Sequence, residues 1–396
     1  MTPTAQRLLP GTRIQALDIL RGLVIVIMAL DHVRDYFHES GWAYDPLDPK
    51  FTTPLLFATR WLSHFCAPTF VFLAGVSIWL QFAKGKDSAR LSRFILTRGL
   101  WIIFLEFTVI SFGWAFSIPY LPLLQVMWAI GLSMVALSAL VWLPQSVVLG
   151  IGIAILALHN TLDSIQAKDL GALSNLWIIL HEGGMILQYG KPLAFIAYPV
   201  LPWIGLMAFG YGIGSVFLLP NRDQILYRLG AAMLATFAIF RGLQIYGDPL
   251  PWATQPDAIK TVMSFLTVQK YPPSLMYVCA TLGTVLILIP VLDRWNGPVK
   301  EFFQTFGSVP LFSYVGHIYI MHGLAIAAYF AAGRNLDGMF NTIYNMFFKL
   351  DAFKGEGFAL PWAYLAWMIV IALLYPMSRW WAAVKRRRRD WWLSYL

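Results

Sequence analysis

The sequence predicts an all-α polytopic membrane protein, a bundle of about ten transmembrane helices. Of its 396 residues, 58% are hydrophobic and only 12% are charged, whereas soluble proteins average about 25% charged residues. The apolar residues occur in repeated blocks of about 20, the length that crosses a hydrocarbon core. Seventeen Trp and seventeen Tyr residues are typical of aromatic belts at two membrane interfaces.

Ten segments have the length and apolarity of membrane spans. The fifth is short enough to be re-entrant, and the segment 177–187 is a candidate eleventh crossing. We expect one membrane domain over residues 14–384, between a cytoplasmic tail of residues 1–13 and a basic, aromatic cytoplasmic tail of residues 385–396. In chain order the predicted spans are residues 14–36, 55–82, 94–116, 121–142, 146–160, 193–219, 229–246, 273–292, 308–332 and 360–381.

Basic residues are concentrated in segments that alternate onto one side of the membrane in this topology. They include the loop from Lys84 to Arg98 and the run Lys385–Arg389. Basic residues mark cytoplasmic loops, so both termini are predicted to be cytoplasmic. The net charge of +9 therefore reflects topology and contact with lipid, and no nucleic-acid partner is expected. Cys66 and Cys279 lie far apart inside apolar spans and predict neither a disulfide framework nor a metal cluster.

The first span carries ionisable residues along one helical face. Arg21 and His32 are eleven positions apart, which brings them within about 20° of each other on a helix and about 16 Å apart along its axis. Asp18 lies on the same stripe, whereas Asp31 points about 100° away from His32. Ionisable residues within a span usually face a protein interior or a water-filled cavity, so the stripe predicts a functional site. The alternatives are an ordinary ion pair between Asp18 and Arg21 and a solvated helix end at residues 31–35.

The segment RIQALDILRGLVIVIMALDHVRDYF, residues 13–37, resembles the opening of bacterial membrane proteins similar to the catalytic domain of heparan-alpha-glucosaminide N-acetyltransferase. In the wider transmembrane acyltransferase superfamily, ten residues separate an arginine from a histidine on the first helix, as they separate Arg21 from His32. Four further stretches resemble the same family, in order along the chain: HFCAPTFVFLAGVS from His64, YPVLPWIGLMAFGYGIG from Tyr198, KYPPSLMY from Lys270 and FGSVPLFSYVGHIYIMH from Phe306.

The resemblance implies an enzyme that transfers an acetyl group across a membrane, here a bacterial inner membrane. The donor would be cytosolic acetyl-CoA, used as a cosubstrate without a metal, and the acceptor an amine or hydroxyl of a sugar or glycan on the far side. His32 would be the catalytic histidine, as general base or transient acetyl carrier, and Asp31 would orient it. His38 is a rival, because lysosomal relatives place their working histidine just after a Tyr–Phe pair, as in YFHESGW.

Several further residues are assigned to substrate or CoA binding. His317 is an imidazole within an apolar span, His64 either lines the family's site or is an ordinary helix-end histidine, and Trp203 either stacks on a substrate or only packs. The predicted binding set is completed by four residues of the first span, namely Asp18, Arg21, Arg34 and Asp35.

Two further motifs lie outside the first span, and the first of them has two interpretations. The loop from Lys84 to Arg98 either receives CoA phosphates or only sets topology. The sequence HEGG at His181 lacks the second histidine of HExxH, so zinc protease chemistry is not supported.

Two other classes of protein also remain open. One is a small-solute or proton-coupled transporter that relays protons along the same stripe, and the other is a structural membrane protein that keeps the scaffold without the activity. The expected partners are the acyl donor, the saccharide acceptor and the lipid bilayer. Further copies of the chain in a homo-oligomer are a further candidate.

Overall fold

A computed structural model of the protein describes residues 14–42, 44–85, 87–388 and 390–395. The predicted N-terminal tail of residues 1–13 therefore lies outside the described residues. Helix accounts for 72% of the structure and strand for 4%, so the prediction of a helical bundle is confirmed except for one small sheet.

The described chain contains sixteen α-helices and three short strands. The helices are α1 Gln15–Phe37, α2 Pro54–Leu62, α3 Cys66–Ala83, α4 Ser88–Leu105, α5 Ser111–Ala115, α6 Val126–Leu140, α7 Gln145–Leu158, α8 Ser174–Trp177, α9 Leu201–Gly212, α10 Arg222–Leu243, α11 Ala258–Leu266, α12 Leu275–Leu292, α13 Pro298–Ser308, α14 Pro310–Ala331, α15 Thr342–Phe348 and α16 Leu360–Arg387. The strands are β1 Leu123–Leu124, β2 Gly184–Gln188 and β3 Lys191–Ile196.

Eight helical segments within the described residues are long and apolar enough to cross a membrane. The chain is therefore an integral, multi-pass membrane protein. Two more predicted spans coincide with helices that fall short of these eight, one in length and the other in apolarity. The helix α6 has only 15 residues, and α1 has 23 residues but carries five charged ones. The eight segments are Pro54–Ala83, Ser88–Ala115, Gln145–Leu162, Leu201–Leu218, Arg222–Leu243, Leu275–Leu292, Pro310–Ala331 and Leu360–Arg387.

Two sequence expectations were wrong at the same place in the chain. The segment 177–187 is not a crossing, because the helical turn Ile178–Glu182 ends where Gly183 and Gly184 adopt φ values of 77° and 121°. The predicted span 193–219 begins with strand β3 instead, and α9 starts only at Leu201, with Pro202 in its first turn. Proline fits the first turn of a helix and disfavours helical backbone before it.

The three strands form one sheet in the order β1–β3–β2. Strand β1 pairs with β3 in parallel, and β2 pairs with β3 antiparallel. Backbone groups cannot remain unpaired at membrane depth, and non-helical backbone is tolerated there only where it is buried in protein or lines a cavity. Leu123, Phe195 and Ile196 of this sheet line a cavity described below, which agrees with that rule.

The helix α1 lies at the centre of the bundle, in contact with α3, α12, α13, α14 and α16. Seventeen of its residues are buried, and these include Asp18, Asp31 and Arg34. The bundle therefore shields the charged residues of this helix from lipid, where each would be costly.

Close backbone contact fixes the position of α1 against α13. A Cβ atom on Gly22 would lie 1.8 Å from the backbone oxygen of Phe303, and one on Gly307 would lie 1.8 Å from the backbone oxygen of Asp18. Small residues at helix interfaces permit this approach in membrane proteins. The glycine-rich α9 packs in the same way, since a Cβ atom on Gly210 would lie 2.4 Å from the backbone oxygen of Phe72.

Candidate active site

His32 and His317 form a hydrogen-bonded pair inside the bundle. His32 Nδ1 lies 2.8 Å from His317 Nε2, and the two rings stack with centroids 5.0 Å apart. His317 Nδ1 lies 3.3 Å from the carbonyl oxygen of Ser313, which can only accept. The partners therefore assign the tautomers: His317 donates from Nδ1, and its Nε2 accepts from His32 Nδ1. The lone pair of His32 then resides on Nε2.

Asp31 holds two arginines beside this pair. Arg60 Nη1 lies 2.5 Å from Asp31 Oδ2, and Arg34 Nη2 lies 3.2 Å from Asp31 Oδ1. Arg34 also pairs with Asp35. The structure thus places Asp31, Arg34 and Asp35 in one ion-pair network with Arg60. The hydrogen bond that orients His32 is the one with His317.

A cavity of about 500 Å³ opens at the His32 end of α1. One wall is α1 itself, another is the small sheet, and a third is the turn Glu182–Gly184. The segment Lys270–Tyr271 closes the cavity on the remaining side. The side chains of His32, Asp31, Asp35, Arg60, Trp114, Gln125, Glu182, Tyr198, Lys270 and Tyr271 all face this space.

Lys270 is one of the site residues that sequence reasoning missed, and Arg60 is another. Lys270 is only 9% exposed, and it lines both the large cavity and a narrow space beneath that cavity. Its Nζ atom lies 5.2 Å from the centroid of the Tyr271 ring. Burial opposes ionisation of Tyr271, but the positive charges of Lys270 and Arg60, together with hydrogen bonds to Tyr198 and Lys270, lower the pKa of that phenol. The resemblance of KYPPSLMY to the family was the available signal.

A second cavity, of about 300 Å³, lies at the other end of α1. Arg21 lines it, with its Nη1 2.9 Å from Asp18 Oδ1 and its Nη2 2.5 Å from Ser77 Oγ. Arg98 of α4 and Lys385 of α16 line the same space. The adjoining cavity, of about 440 Å³, shares Asp18 and Ser308 with it and is lined also by Arg379 and Arg386. This end of the protein therefore presents several cations around two adjoining spaces.

A constriction separates the two ends. Its volume is about 20 Å³, which is room for about one water molecule. Phe70 lines both this constriction and the Arg21 cavity, whereas His32 and Lys270 line both the constriction and the larger cavity. Cys66 also lines it, with Sγ 3.3 Å from the carbonyl oxygen of Val24. The polar face predicted for the first span thus connects two cavities at opposite ends of α1.

Five predicted residues do not line these cavities within the described part of the chain: Arg34 and His317, whose partners are given above, and His64, Trp203 and His38. His64 is 1% exposed, stacks on Trp61, and receives a hydrogen bond from Tyr277 only at its backbone oxygen. Trp203 is fully buried and packs on Tyr198, with ring centroids 5.2 Å apart. Trp203 therefore supports the cavity wall from behind rather than facing a ligand.

His38, the rival of His32, caps the end of α1. Ser40 donates from its backbone N–H to His38 Nδ1 at 3.0 Å, and the Ser40 hydroxyl lies 2.6 Å from the same nitrogen. Burial lowers the pKa of His38. Its role in the structure is to fix the turn after α1, in which Phe358 donates from its N–H to the carbonyl oxygen of Phe37.

The fold and the site together define a multi-pass membrane protein with a histidine pair between two cavities. The family described as heparan-alpha-glucosaminide N-acetyltransferase, catalytic, matches residues 13–248 of the chain, which is more than half of it. The protein belongs to this family. No curated protein matches the chain. Membership indicates a membrane N-acetyltransferase, and the matched residues include His32, whereas Lys270 and His317 lie beyond them.

Proposed function

We propose that the protein moves an acetyl group from acetyl-CoA on its cytoplasmic side to an amine or hydroxyl of a saccharide on the opposite side. The observation that carries this proposal is the place of His32 between two cavities at opposite ends of α1. The membrane would be one whose inner face meets cytosolic acetyl-CoA, namely a bacterial inner membrane.

The cavity around Arg21 suits the phosphates of CoA. Arg21, Arg98 and Lys385 line it, and guanidinium and ammonium groups are the common partners of phosphate in proteins. Of the basic loop in the sequence, Arg98 reaches this space, whereas Arg90 is exposed, with 85% of its side chain in solvent, and Lys86 lies outside the described residues. The thioester would then point along α1 towards Phe70 and His32.

Proton transfer at His32 follows from its tautomer. As the acceptor amine or hydroxyl attacks the thioester carbonyl, His32 Nε2 takes its proton, and His317 continues to hold the other ring nitrogen. The tetrahedral intermediate then collapses by breaking the C–S bond, and the proton passes from His32 to the departing CoA sulfur. Lys270, at the same constriction, supplies positive charge close to the developing oxyanion.

The narrowness of the constriction favours group transfer over solute transport. A space of about 20 Å³ holds about one water, so a sugar does not pass through it. Transfer requires only that the acetyl end of the donor reach His32, with Phe70 moving aside. A transporter working by alternating access would have to open this space to a whole solute, whereas transfer needs room only for an acetyl group.

Turnover of acetyl-CoA by the purified full chain tests this function. With amino sugars and neutral sugars offered in turn, we expect thiol release to rise above the sugar-free rate for at least one acceptor and the acetylated sugar to appear in equal amount. Arg98→Ala should raise the KM for acetyl-CoA, whereas Arg90→Ala on the same helix should leave it unchanged. Sugar uptake without thiol release would instead support the transporter.

A further inference from the structure

A second cluster of chemically active side chains lies behind the wall of the large cavity. His159 and Asp163 belong to the turn that follows α7, and His181 belongs to the turn Ile178–Glu182. One potential ligand atom from each residue lies within 4.8 Å of the other two. His181 Nε2 and Asp163 Oδ1 are 3.6 Å apart. In a tetrahedral zinc site with bonds of about 2.0 Å, ligand atoms are separated by about 3.3 Å, so small side-chain shifts would close the set.

Three polar atoms of this cluster are buried without the hydrogen-bond partners that burial normally requires. His159 is 2% exposed, and within the described chain neither of its ring nitrogens has a hydrogen-bond partner of good geometry. The backbone of Pro273 is close enough to interact with that ring. Asp163 Oδ1 also lacks a hydrogen bond in the described structure. Buried polar atoms are paired in the great majority of cases, and an orphan calls for an unseen ion or water.

The neighbours of the cluster hold its members in place. Asn160 donates from Nδ2 to Asp163 Oδ2 at 2.9 Å, and its Oδ1 accepts from the Leu275 backbone N–H at 3.0 Å. Trp177 stacks on His181 with centroids 5.2 Å apart. Carboxylate ligands in metal sites are oriented by such outer hydrogen bonds. His181 Nε2 also lies 2.9 Å from the His159 carbonyl oxygen and would exchange that contact for the ion.

We propose that His159, Asp163 and His181 bind one divalent metal ion, and that Zn²⁺ is the ion their donor set favours. Imidazole and carboxylate ligands are those that zinc takes, with three protein ligands leaving a fourth position for water. The sequence did not predict the site, because HEGG supplies only one histidine, and the fold adds the other two ligands from the turn that follows α7.

The ion would brace the wall of the large cavity. Glu182, which follows His181 directly, and the adjoining Gly183 and Gly184 line that cavity. On the other side of the cluster, Asn160 ties the turn to Leu275, five residues after the cavity residue Lys270. A metal at this position would join the end of α7, the Glu182 turn and the segment before α12. None of the three ligands lines the large cavity, so the ion would support its wall and take no part in acetyl transfer.

Zinc content and zinc affinity of the full chain test the proposal. The protein would be purified in detergent through a tag without histidine, stripped with a chelator, and titrated with Zn²⁺ alone by calorimetry. We expect one tight equivalent in the wild type and a rise in melting temperature on binding. Loss of that equivalent is expected in His159→Ala, in His181→Ala and in the conservative variant Asp163→Asn, which keeps the side-chain volume.

Two control variants test whether zinc binds at this cluster rather than at other histidines of the chain. His38→Ala removes a buried histidine outside the cluster and should keep the zinc equivalent, and so should His32→Ala even though it is expected to lose acetyl transfer. Zinc binding to the wild type no tighter than to the triple variant of His159, Asp163 and His181 would overturn the proposal. Equal loss of the equivalent in His38→Ala would also overturn it, because the ion would then be bound nonspecifically.

Discussion

His32 forms a hydrogen bond with His317, and that bond decides which ring nitrogen of His32 can take a proton. A histidine without such a partner exchanges freely between two tautomers, and only one of them suits a general base. Because Ser313 holds His317 in one tautomer, the chain of hydrogen bonds passes that selection on to His32. At the scale of single residues, the pair therefore replaces the aspartate–histidine arrangement that the adjacent Asp31 first suggested.

The first prediction concerns this pair. His32→Ala should lower kcat for acetyl transfer by about 10²–10⁴, the usual contribution of a general acid–base residue. His317→Ala should lower kcat less and leave the KM for acetyl-CoA unchanged, because it removes only the orientation of His32. Steady-state thiol release measures both. His38→Ala is the matched control and should keep the wild-type rate; the reverse pattern would transfer the catalytic role to His38.

Lys270 provides the second prediction at the residue scale. Lys270→Met removes the ammonium while keeping a flexible side chain of similar length. If the charge stabilises the oxyanion, kcat should fall by about 10²–10³, as for the loss of one such donor, with little change in melting temperature. Lys270→Arg, which keeps the charge, should retain more activity than Lys270→Met. Equal activity of wild type and Lys270→Met would remove the residue from the mechanism.

At the scale of helices and strands, local pattern predicted what lies within one element and failed where elements meet. The 3.6-residue repeat placed Arg21 and His32 on one face of α1 because both belong to a single helix. It could not pair His32 with His317, since 285 positions separate them. Nor could it show that Lys270, in the segment before α12, faces the large cavity. Apolar residues 193–196 were read as helix, although their pairing with β1 and β2 makes them a strand.

The contact between α1 and α13 gives a prediction at this scale. Gly22→Ala places a methyl group against the Phe303 backbone, so the helices must separate. We expect a loss of about 1–3 kcal/mol in stability, typical of overpacking, and a lower melting temperature in detergent. Gly150→Ala on α7 is the matched control, because a Cβ atom there meets nothing within 4 Å and alanine favours helix. An unchanged melting temperature in Gly22→Ala would mean that the two helices do not pack this closely.

At the scale of the whole molecule, the site requires residues from both ends of the chain. Asp18 of α1 and Lys385 of α16 line the same cavity, and His317 of α14 forms a hydrogen bond with His32, which lines the constriction. The family match ends at residue 248, and residues beyond it also line the two cavities. The proposed transfer depends on a bundle that keeps the two cavities at opposite ends of α1.

Sealed vesicles test that arrangement directly. With the full chain reconstituted, acetyl-CoA outside and the acceptor sugar trapped inside, we expect acetylated sugar to accumulate within the vesicles. With both substrates outside the same vesicles, little product should form, because each cavity admits only one substrate and the constriction passes neither. Detergent that opens the vesicles should restore the reaction in the second arrangement, which shows that the protein is active in both. Rapid acetylation with both substrates on one side of an intact membrane would contradict transfer along α1 and would place donor and acceptor in a single cavity.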